Sequence, residues 1–282
     1  MTLQCSNKCA HVGLKKEDHL LYHLYSKNAW EWRKPDYENL IRDSMSPVWK
    51  YEWGRQSKYA FHQNLDEIHE LYQKPTLETY IKYYTRHYER IKHEYSYVAD
   101  FSNSIAQIPL NFLEKIAPKL KKHFEIKVLI IFRDPVRRLY SELSHKYQND
   151  ENLRKNHPTS KHFYWNYLTK GNFDENCEFV KRYKRFKSVF NTLAVVSEDL
   201  WGRKNDQVAK LSNFLQYDIK NLWPNCYYPE LGTKAPHYEN LRDQYDSDLE
   251  DLTHDDLVYG RKNLAKYYDE WYDEFGTTPW KC

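Results

Sequence analysis

Short apolar runs alternate along the chain with longer stretches in which apolar residues recur every three or four positions. Continuous apolar runs are typical of strands that a parallel sheet buries on both faces, and KVLIIF and TLAVVS are of this kind. The runs predicted to form strands are residues 9–14, 95–100, 127–132 and 192–197.

The longer stretches have the period of amphipathic helices. In residues 76–95 the apolar and aromatic positions are alternately four and three residues apart, which places them on one stripe of a helix. Strands and helices in alternation predict an α/β fold, and we expect a single domain over residues 1–282 in which helices flank a central parallel β-sheet. The other predicted helices are residues 110–122, 135–147, 176–186, 206–215 and 255–275.

Three stretches follow neither period: residues 30–63, 149–172 and 222–245. We interpret them as long irregular connections, which in an open α/β sheet usually build the substrate side of the cleft. Aromatic faces stack on sugar rings, so tryptophans in the first stretch are compatible with a carbohydrate ligand, although packing is the commoner use of this residue. These tryptophans are Trp30, Trp32, Trp49 and Trp53.

The composition is that of a folded globular chain, with 40% hydrophobic and 17% aromatic residues. The 43 Lys and Arg residues stand against 40 Asp and Glu residues, and a net charge of +3 is too balanced to predict a nucleic-acid partner. Basic residues do cluster at 119–122 and 181–187. We interpret these clusters as solvated helix faces, and a groove for a polyanionic substrate stays the alternative.

No stretch is apolar and long enough to predict a membrane span, and the first residues lack a hydrophobic signal core. The sequence does not decide between two compartments: the cytoplasm, and the Golgi lumen, where the chain would be a catalytic domain that lacks its anchor. The five scattered cysteines predict no disulfide framework. Cys5, Cys9 and His11 are close together, but no second pair completes a metal site, so no metal is predicted.

The strongest chemical signal is IIFRDPVRRLYSELS, residues 130–144. Arg133 follows a predicted strand, and Pro135 suits the first position of a helix because its missing N–H is not needed there. Arg138 and Ser141 are three residues apart and share one helix face. The pattern predicts a guanidinium, a hydroxyl and free backbone N–H groups at one helix start, which suits a phosphate. A surface helix with ordinary ion pairs is the alternative.

These residues resemble the second nucleotide motif of the sulfotransferases that use 3′-phosphoadenosine-5′-phosphosulfate (PAPS), which reads approximately R-[DN]-P-x-x-R-x-x-S. The resemblance implies that Arg133 and Ser141 bind the 3′-phosphate of PAPS and that Arg138 supports them. It also implies a P-loop-like sulfotransferase fold. Further stretches are similar to the family in the same order along the chain: residues 97–108, 197–200, 208–215 and 257–280.

A late loop points to the glycan-modifying branch of this family. Gly232, Thr233 and Lys234 precede Pro236 and resemble the S-K-G-R-x-x-P loop of heparan-type enzymes, which implies a contact of Lys234 with the 3′-phosphate side. A plain turn is an equal alternative. The K-x-G-x-x-G-D-W-K-N loop that closes the cytosolic small-molecule enzymes is absent from the sequence.

The first nucleotide motif of the family, approximately G-x-P-K-[SCT]-G-T-[TS], is only partly matched. The resemblance implies that Gly13, Lys15 and Lys16 belong to the loop that binds the 5′-phosphosulfate, with Lys16 stabilising charge on the bridging oxygen. Residues 17–20, Glu-Asp-His-Leu, replace the small and hydroxylic residues. Carboxylates beside a dianion oppose its binding. A catalytically degenerate protein that binds nucleotide or glycan without transfer is therefore the alternative.

Sulfuryl transfer also needs a base for the acceptor hydroxyl. The stretches WKYEWGR and SKYAFH offer Glu52 as the first candidate and His62 as the second, each with a surface role as its alternative. We expect an enzyme that moves the sulfuryl group of PAPS to a hydroxyl, on a carbohydrate acceptor, and releases adenosine 3′,5′-bisphosphate. A nucleotide kinase is disfavoured because G-x-x-x-x-G-K-[ST] is absent. The oligomeric state stays open.

Overall fold

The computed structural model describes most of the chain in two compact units. Described residues before Lys127 belong to the first unit, and those from Lys127 onward belong to the second. The described residues are 9–11, 19–44, 70–93, 96–100, 102, 104–171, 177–197, 205–217, 252–277 and 280.

The first unit is mainly helical and contains one pair of short parallel strands. The pair has Cys9 opposite Tyr97 and His11 opposite Ala99. Thr76 starts one helix with a capping box, in which its side chain accepts from the Thr79 N–H and the Thr79 side chain accepts in return. In chain order the elements are β1 (Cys9–His11), α1 (Leu20–Tyr25), α2 (Lys27–Ser44), α3 (Leu77–Ile91), β2 (Tyr97–Ala99), a 3₁₀ helix (Ser104–Gln107) and α4 (Leu110–Lys121).

Stacked aromatic rings form much of the core of this unit. The rings of Tyr37 and Tyr72 lie 4.3 Å apart between centroids, and Trp30 stacks on both of them. All three are almost fully buried, which removes a large apolar area from water. Trp30, which the sequence placed in a substrate-side connection, is therefore a packing residue, whereas Trp32 is 72% exposed.

The second unit contains the other parallel pair. Its strands pair in register from Lys127 opposite Asn191 to Phe132 opposite Val196. The helices pack their apolar faces around two buried clusters, one of which centres on Val136 and Tyr164 and the other on Phe132 and Trp271. In chain order the elements are β3 (Lys127–Phe132), α5 (Pro135–Asn149), α6 (Glu151–Asn156), α7 (Ser160–Lys170), α8 (Phe179–Lys187), β4 (Asn191–Val196), α9 (Asn205–Leu215), α10 (His254–Asn263) and α11 (Ala265–Phe275).

The described part of the chain is thus mostly helical and carries two parallel two-stranded sheets. The four predicted strands are all present, and the parallel pairing of β3 with β4 is confirmed. The prediction that β3 is buried on both faces was wrong, because Ile131 is 59% exposed. The single domain over residues 1–282 stays a prediction. Within the described ranges, no helix combines the length and the apolarity that crossing a membrane requires.

Two of the stretches predicted to be irregular are partly helical. Helix α2 covers residues 30–44, although Pro35 lies inside it and its apolar residues do not form a clear stripe. Helices α6 and α7 fill most of residues 149–172, where exposed polar residues and aromatic residues on several faces hide the helical period.

The predicted last helix, residues 255–275, is in fact two helices. The break lies at Leu264, whose backbone angles (φ −104°, ψ 14°) leave the helical region. The Leu264 side chain is fully buried in the cluster around Val136.

Candidate functional site

Arg133 stands directly after β3, at the edge where β3 and β4 both end. Because Phe132 pairs with Val196, the residues that follow the two strands, Arg133 and Ser197, leave the sheet at the same level. Both are partly exposed. Side chains at the carboxyl ends of parallel strands are well placed to meet a ligand in an α/β fold.

The next residue, Asp134, accepts hydrogen bonds from three helices of the second unit. Its Oδ1 accepts hydrogen bonds from the Val136 N–H at 2.9 Å and from the Arg137 N–H at 3.3 Å, so it caps α5. The same carboxylate accepts from the Tyr268 hydroxyl at 2.9 Å and from Arg261 Nη2 at 3.3 Å. Asp134 is only 1% exposed, so these contacts are shielded from water.

The start of α5 therefore does not offer the free backbone donors that the sequence pattern predicted. Pro135 has no N–H, and the N–H groups of Val136 and Arg137 already donate to Asp134. This part of the prediction was wrong, because the acidic residue of the pattern occupies the donors itself. An anion near Arg133 would be held by side chains, not by the amides of this helix start.

Arg138 lies one turn into α5 and is oriented by its neighbours. Its Nη1 is 3.6 Å from Glu142 Oε2, and its Cζ is 5.5 Å from the centroid of the Phe179 ring, within cation–π range. Arg182 follows Phe179 by three residues on α8, so both lie on one helix face. The pKa of Arg182 is lowered by burial and then by the positive charges of Arg138 and Arg185. Positive charge therefore accumulates where α5 meets α8.

The remaining basic residues of α8 are engaged with carboxylates. Lys181 Nζ lies 2.6 Å from Glu178, and Lys184 and Lys187 lie 3.1 and 3.4 Å from the two oxygens of Glu274. The cluster at 181–187 thus contains lysines in exposed ion pairs and an arginine, Arg182, that feels the positive charge of Arg138. Ser141 lies one turn after Arg138 on the same helix and is partly exposed.

A second polar cluster lies in the first unit, beyond the ends of β1 and β2. His19 Nδ1 is 2.7 Å from the Ser104 hydroxyl and 2.9 Å from the Ser102 hydroxyl, and the two hydroxyls are 2.9 Å apart. The three polar atoms form a triangle with hydrogen-bond distances on every side. His19 precedes α1 with a left-handed backbone (φ 54°), which is uncommon for a residue other than glycine.

Two further ionisable groups belong to this part of the unit. Asp100, directly after β2, accepts from the Tyr80 hydroxyl at 3.1 Å and from the Leu21 N–H, and burial raises its pKa to about 6. His23 is 3% exposed, with its Nε2 3.1 Å from the Tyr37 hydroxyl. Burial, and then the charges of His19 and Arg33, lower the pKa of His23 to about 4.

The predicted site residues fall into two groups. Arg133 directly precedes the cap of α5, and Arg138 and Ser141 lie within the first two turns of this helix; their roles in ligand binding stay predictions. The other predicted site residues lie outside the described residues: Gly13, Lys15, Lys16, Glu52, His62 and Lys234.

Several residues of both clusters were not singled out from the sequence. Ser102 and Ser104 sit in the stretch 97–108 that resembles the family, but nothing in their spacing indicated that they would meet His19. Arg261 and Tyr268 reach Asp134 from more than 120 positions away, and only the fold reveals such contacts. For Arg182 the sequence offered one signal, which is that this residue belongs to the basic cluster at residues 181–187.

Comparisons of the chain with models of protein families, with curated proteins and with solved structures return no match. Among the described residues, no group of three or more His, Cys, Asp or Glu side chains is arranged to hold a metal ion. The interpretation of the site therefore rests on its own residues and geometry.

Proposed function

We propose that the protein is a sulfotransferase that moves the sulfuryl group of PAPS to a hydroxyl, on a carbohydrate acceptor. The observation that carries the proposal is the segment that begins at Arg133. A guanidinium directly after a parallel strand is followed by a capped helix with a hydroxyl at Ser141. The proposal includes the single P-loop-like domain with a central parallel sheet that the sequence predicts.

The contacts of this segment support an anion site made of side chains. Asp134 fixes the first turn of α5 through two backbone N–H groups and is itself held by Arg261 and Tyr268. A rigid start of the helix limits the positions that Arg133 and Ser141 can take, which lowers the entropy cost of binding a phosphate. Positive charge from Arg138 and Arg182 adds a favourable field for a dianion.

The chemistry requires one bond exchange at sulfur. The acceptor oxygen forms a bond to the sulfur of PAPS while the bond from that sulfur to the bridging phosphate oxygen breaks. The bond's electron pair stays on the phosphate, so adenosine 3′,5′-bisphosphate leaves. The acceptor proton passes to a base, for which Glu52 and then His62 are the candidates, and Lys16 would stabilise the charge on the bridging oxygen.

A second candidate is a protein of the same fold that binds nucleotide or glycan without transfer. Glu17 and Asp18 favour it, because they bring carboxylates to the loop in which the family carries hydroxylic residues.

Calorimetric titration with adenosine 3′,5′-bisphosphate tests the proposal. We expect the wild-type chain to bind, and Arg133→Ala and Ser141→Ala each to weaken binding about tenfold or more, because each removes a hydrogen bond to a charged phosphate. Lys155→Ala is the matched control: it removes a cation that is exposed on α6 and pairs with Glu151. Absence of binding by the wild-type chain would refute the proposal.

Transfer is then tested separately with PAPS and a panel of glycans, with release of the bisphosphate as the readout. Release that depends on acceptor and is lost in Arg133→Ala supports the enzyme. Binding without release across the panel supports the second candidate.

A further inference from the structure

The triangle of His19, Ser102 and Ser104 is the most unusual polar arrangement in the first unit. Its side chains come from two parts of the chain, because His19 is 83 and 85 positions from the neighbouring serines, and their polar atoms lie 2.7 to 2.9 Å apart. Ser104 is 9% exposed and His19 is partly buried, so the cluster is sheltered yet not sealed.

The cluster also lies where an α/β fold binds its ligands. β1 and β2 run parallel with His11 opposite Ala99, so the chain leaves both strands at the same edge. Ser102 follows β2 closely, and His19 precedes the helix that comes after β1. Ligands of such folds bind beyond the carboxyl ends of the strands.

The backbone of His19 adds an independent observation. A residue other than glycine with φ of 54° carries strain of about 1 kcal/mol or more, and such residues concentrate at functional sites. In this conformation both hydroxyls lie within hydrogen-bond distance of the same ring nitrogen.

We propose that His19, Ser102 and Ser104 together form a binding site for a tetrahedral oxyanion, a phosphoryl or sulfuryl group. Two hydroxyl groups that rotate and one ring nitrogen that donates when protonated supply three donors on one side of the site. In the absence of ligand they satisfy one another, and an anion would take over their hydrogen bonds.

The proposed function identifies this group as the phosphosulfate of PAPS, and to that extent the inference rests on it. His19 stands in the segment where the family's first motif carries hydroxylic residues, and the missing hydroxyls would be supplied by Ser102 and Ser104 from the connection after β2. The departure of residues 17–20 from the family pattern would then be compensated from another part of the chain.

Besides Glu17 and Asp18, which precede His19 in the sequence, Asp100 is a carboxylate that would oppose such an anion, and its contacts limit the opposition. Its side chain accepts from Tyr80 and from the Leu21 N–H, which spreads its negative charge over two donors.

A pair of nucleotides isolates the 5′ group. Adenosine 3′,5′-bisphosphate and adenosine 3′-monophosphate differ only in the 5′-phosphate, so the dissociation constant of the monophosphate divided by that of the bisphosphate measures how much that group contributes to binding. We expect Ser102→Ala, Ser104→Ala and His19→Asn each to lower the ratio about tenfold while the affinity for the monophosphate stays unchanged. Asparagine is chosen because it tolerates the left-handed backbone. Ser188→Ala, an exposed serine in the second unit, is the control and should leave the ratio unchanged.

A second measurement separates this inference from the proposed function. Inorganic phosphate and sulfate are titrated into the full chain while the NMR signals of the His19 ring are followed, with melting curves to show that each variant is folded. Shifts that saturate in the wild-type chain and vanish in Ser102→Ala and Ser104→Ala support the site, even if the nucleotides do not bind and the proposed function fails.

If the nucleotides bind and need Arg133, but the ratio is unchanged in all three variants, the inference is wrong and the proposed function stands. Absence of any effect of phosphate, sulfate or nucleotide on His19 also overturns it.

Discussion

The Tyr268 hydroxyl donates a hydrogen bond of 2.9 Å to the Oδ1 atom of Asp134, which also caps helix α5. This contact joins the end of the chain to the segment that resembles a nucleotide motif. Burial and the negative charge of Asp134 raise the pKa of Tyr268 well above its ordinary value, so its proton stays in this hydrogen bond at physiological pH. The buried acidic residue between Arg133 and Pro135 therefore makes its contacts within the fold, as the cap of α5 and as the acceptor for Tyr268 and Arg261.

Replacement of Asp134 should be among the most destabilising single changes in the second unit. Asp134→Ala removes the helix cap and leaves Arg261, whose side chain is 16% exposed, without this carboxylate, at an expected cost of about 3 to 5 kcal/mol in the free energy of unfolding. Asp134→Asn keeps the cap and should lose less. Tyr268→Phe removes one hydrogen bond and should cost about 1 kcal/mol. Urea unfolding curves measure all three, and equal losses for Ala and Asn would show that the cap contributes nothing.

Gly260 is required by close packing in α10. A Cβ added there would lie 2.7 Å from the Tyr164 hydroxyl oxygen and 3.0 Å from both methyl groups of Val136, and both of these side chains are fully buried. Gly260→Ala should therefore lower the free energy of unfolding by about 1 to 2 kcal/mol, although alanine favours a helix. Lys262→Ala, an exposed change on the same helix, should stay within about 0.5 kcal/mol. An unchanged melting temperature in Gly260→Ala would contradict the packing.

Glu274 links α11 to α8 through two exposed lysines. Burial raises its pKa, but the hydrogen bonds and charges of Lys184 and Lys187 lower it overall. Because the lysines are more than half exposed, Glu274→Gln should cost no more than about 1 kcal/mol, and the loss should shrink in high salt. Thermal melts at low and high salt measure this, and a loss that is independent of salt would point to packing instead of charge.

Local patterns in the sequence were enough to predict the strands and most helices. Residues 127–132 and 192–197 were predicted because buried parallel strands are continuously apolar, and the start of α5 was predicted because proline suits the first helical position. Helix α2 was missed since Pro35 argues against a helix interior, and the break at Leu264 was missed since the apolar period continues through it.

The candidate site residues that are close in sequence could be predicted, whereas the contacts between distant positions could not. Arg133, Arg138 and Ser141 are close in sequence, so one helix period relates them. The contacts of Asp134 with Arg261 and Tyr268, and those of His19 with Ser102 and Ser104, join positions 83 or more apart. A single sequence carries no signal for such pairs.

His23 should make the stability of the first unit depend on pH. Its pKa is lowered from 6.5 to about 4 by burial and the charges of His19 and Arg33, so the unfolded chain binds this proton first as the pH falls. The free energy of unfolding should therefore decrease between pH 6.5 and about 4, by about 3 kcal/mol from this group.

Asp100, whose pKa is raised to about 6, acts in the opposite direction, because its contribution is complete below its unfolded pKa and is lost as the pH rises through about 6. The difference between wild type and His23→Gln isolates the histidine: as the pH falls from 6.5 to about 4, the variant should lose about 3 kcal/mol less stability than wild type, because the opposing change from Asp100 is common to both. Tyr37→Phe, which removes only the hydrogen bond to His23 Nε2, should lower the free energy of unfolding by a similar amount at every pH. If wild type and His23→Gln show the same dependence of stability on pH, His23 is not the responsible group.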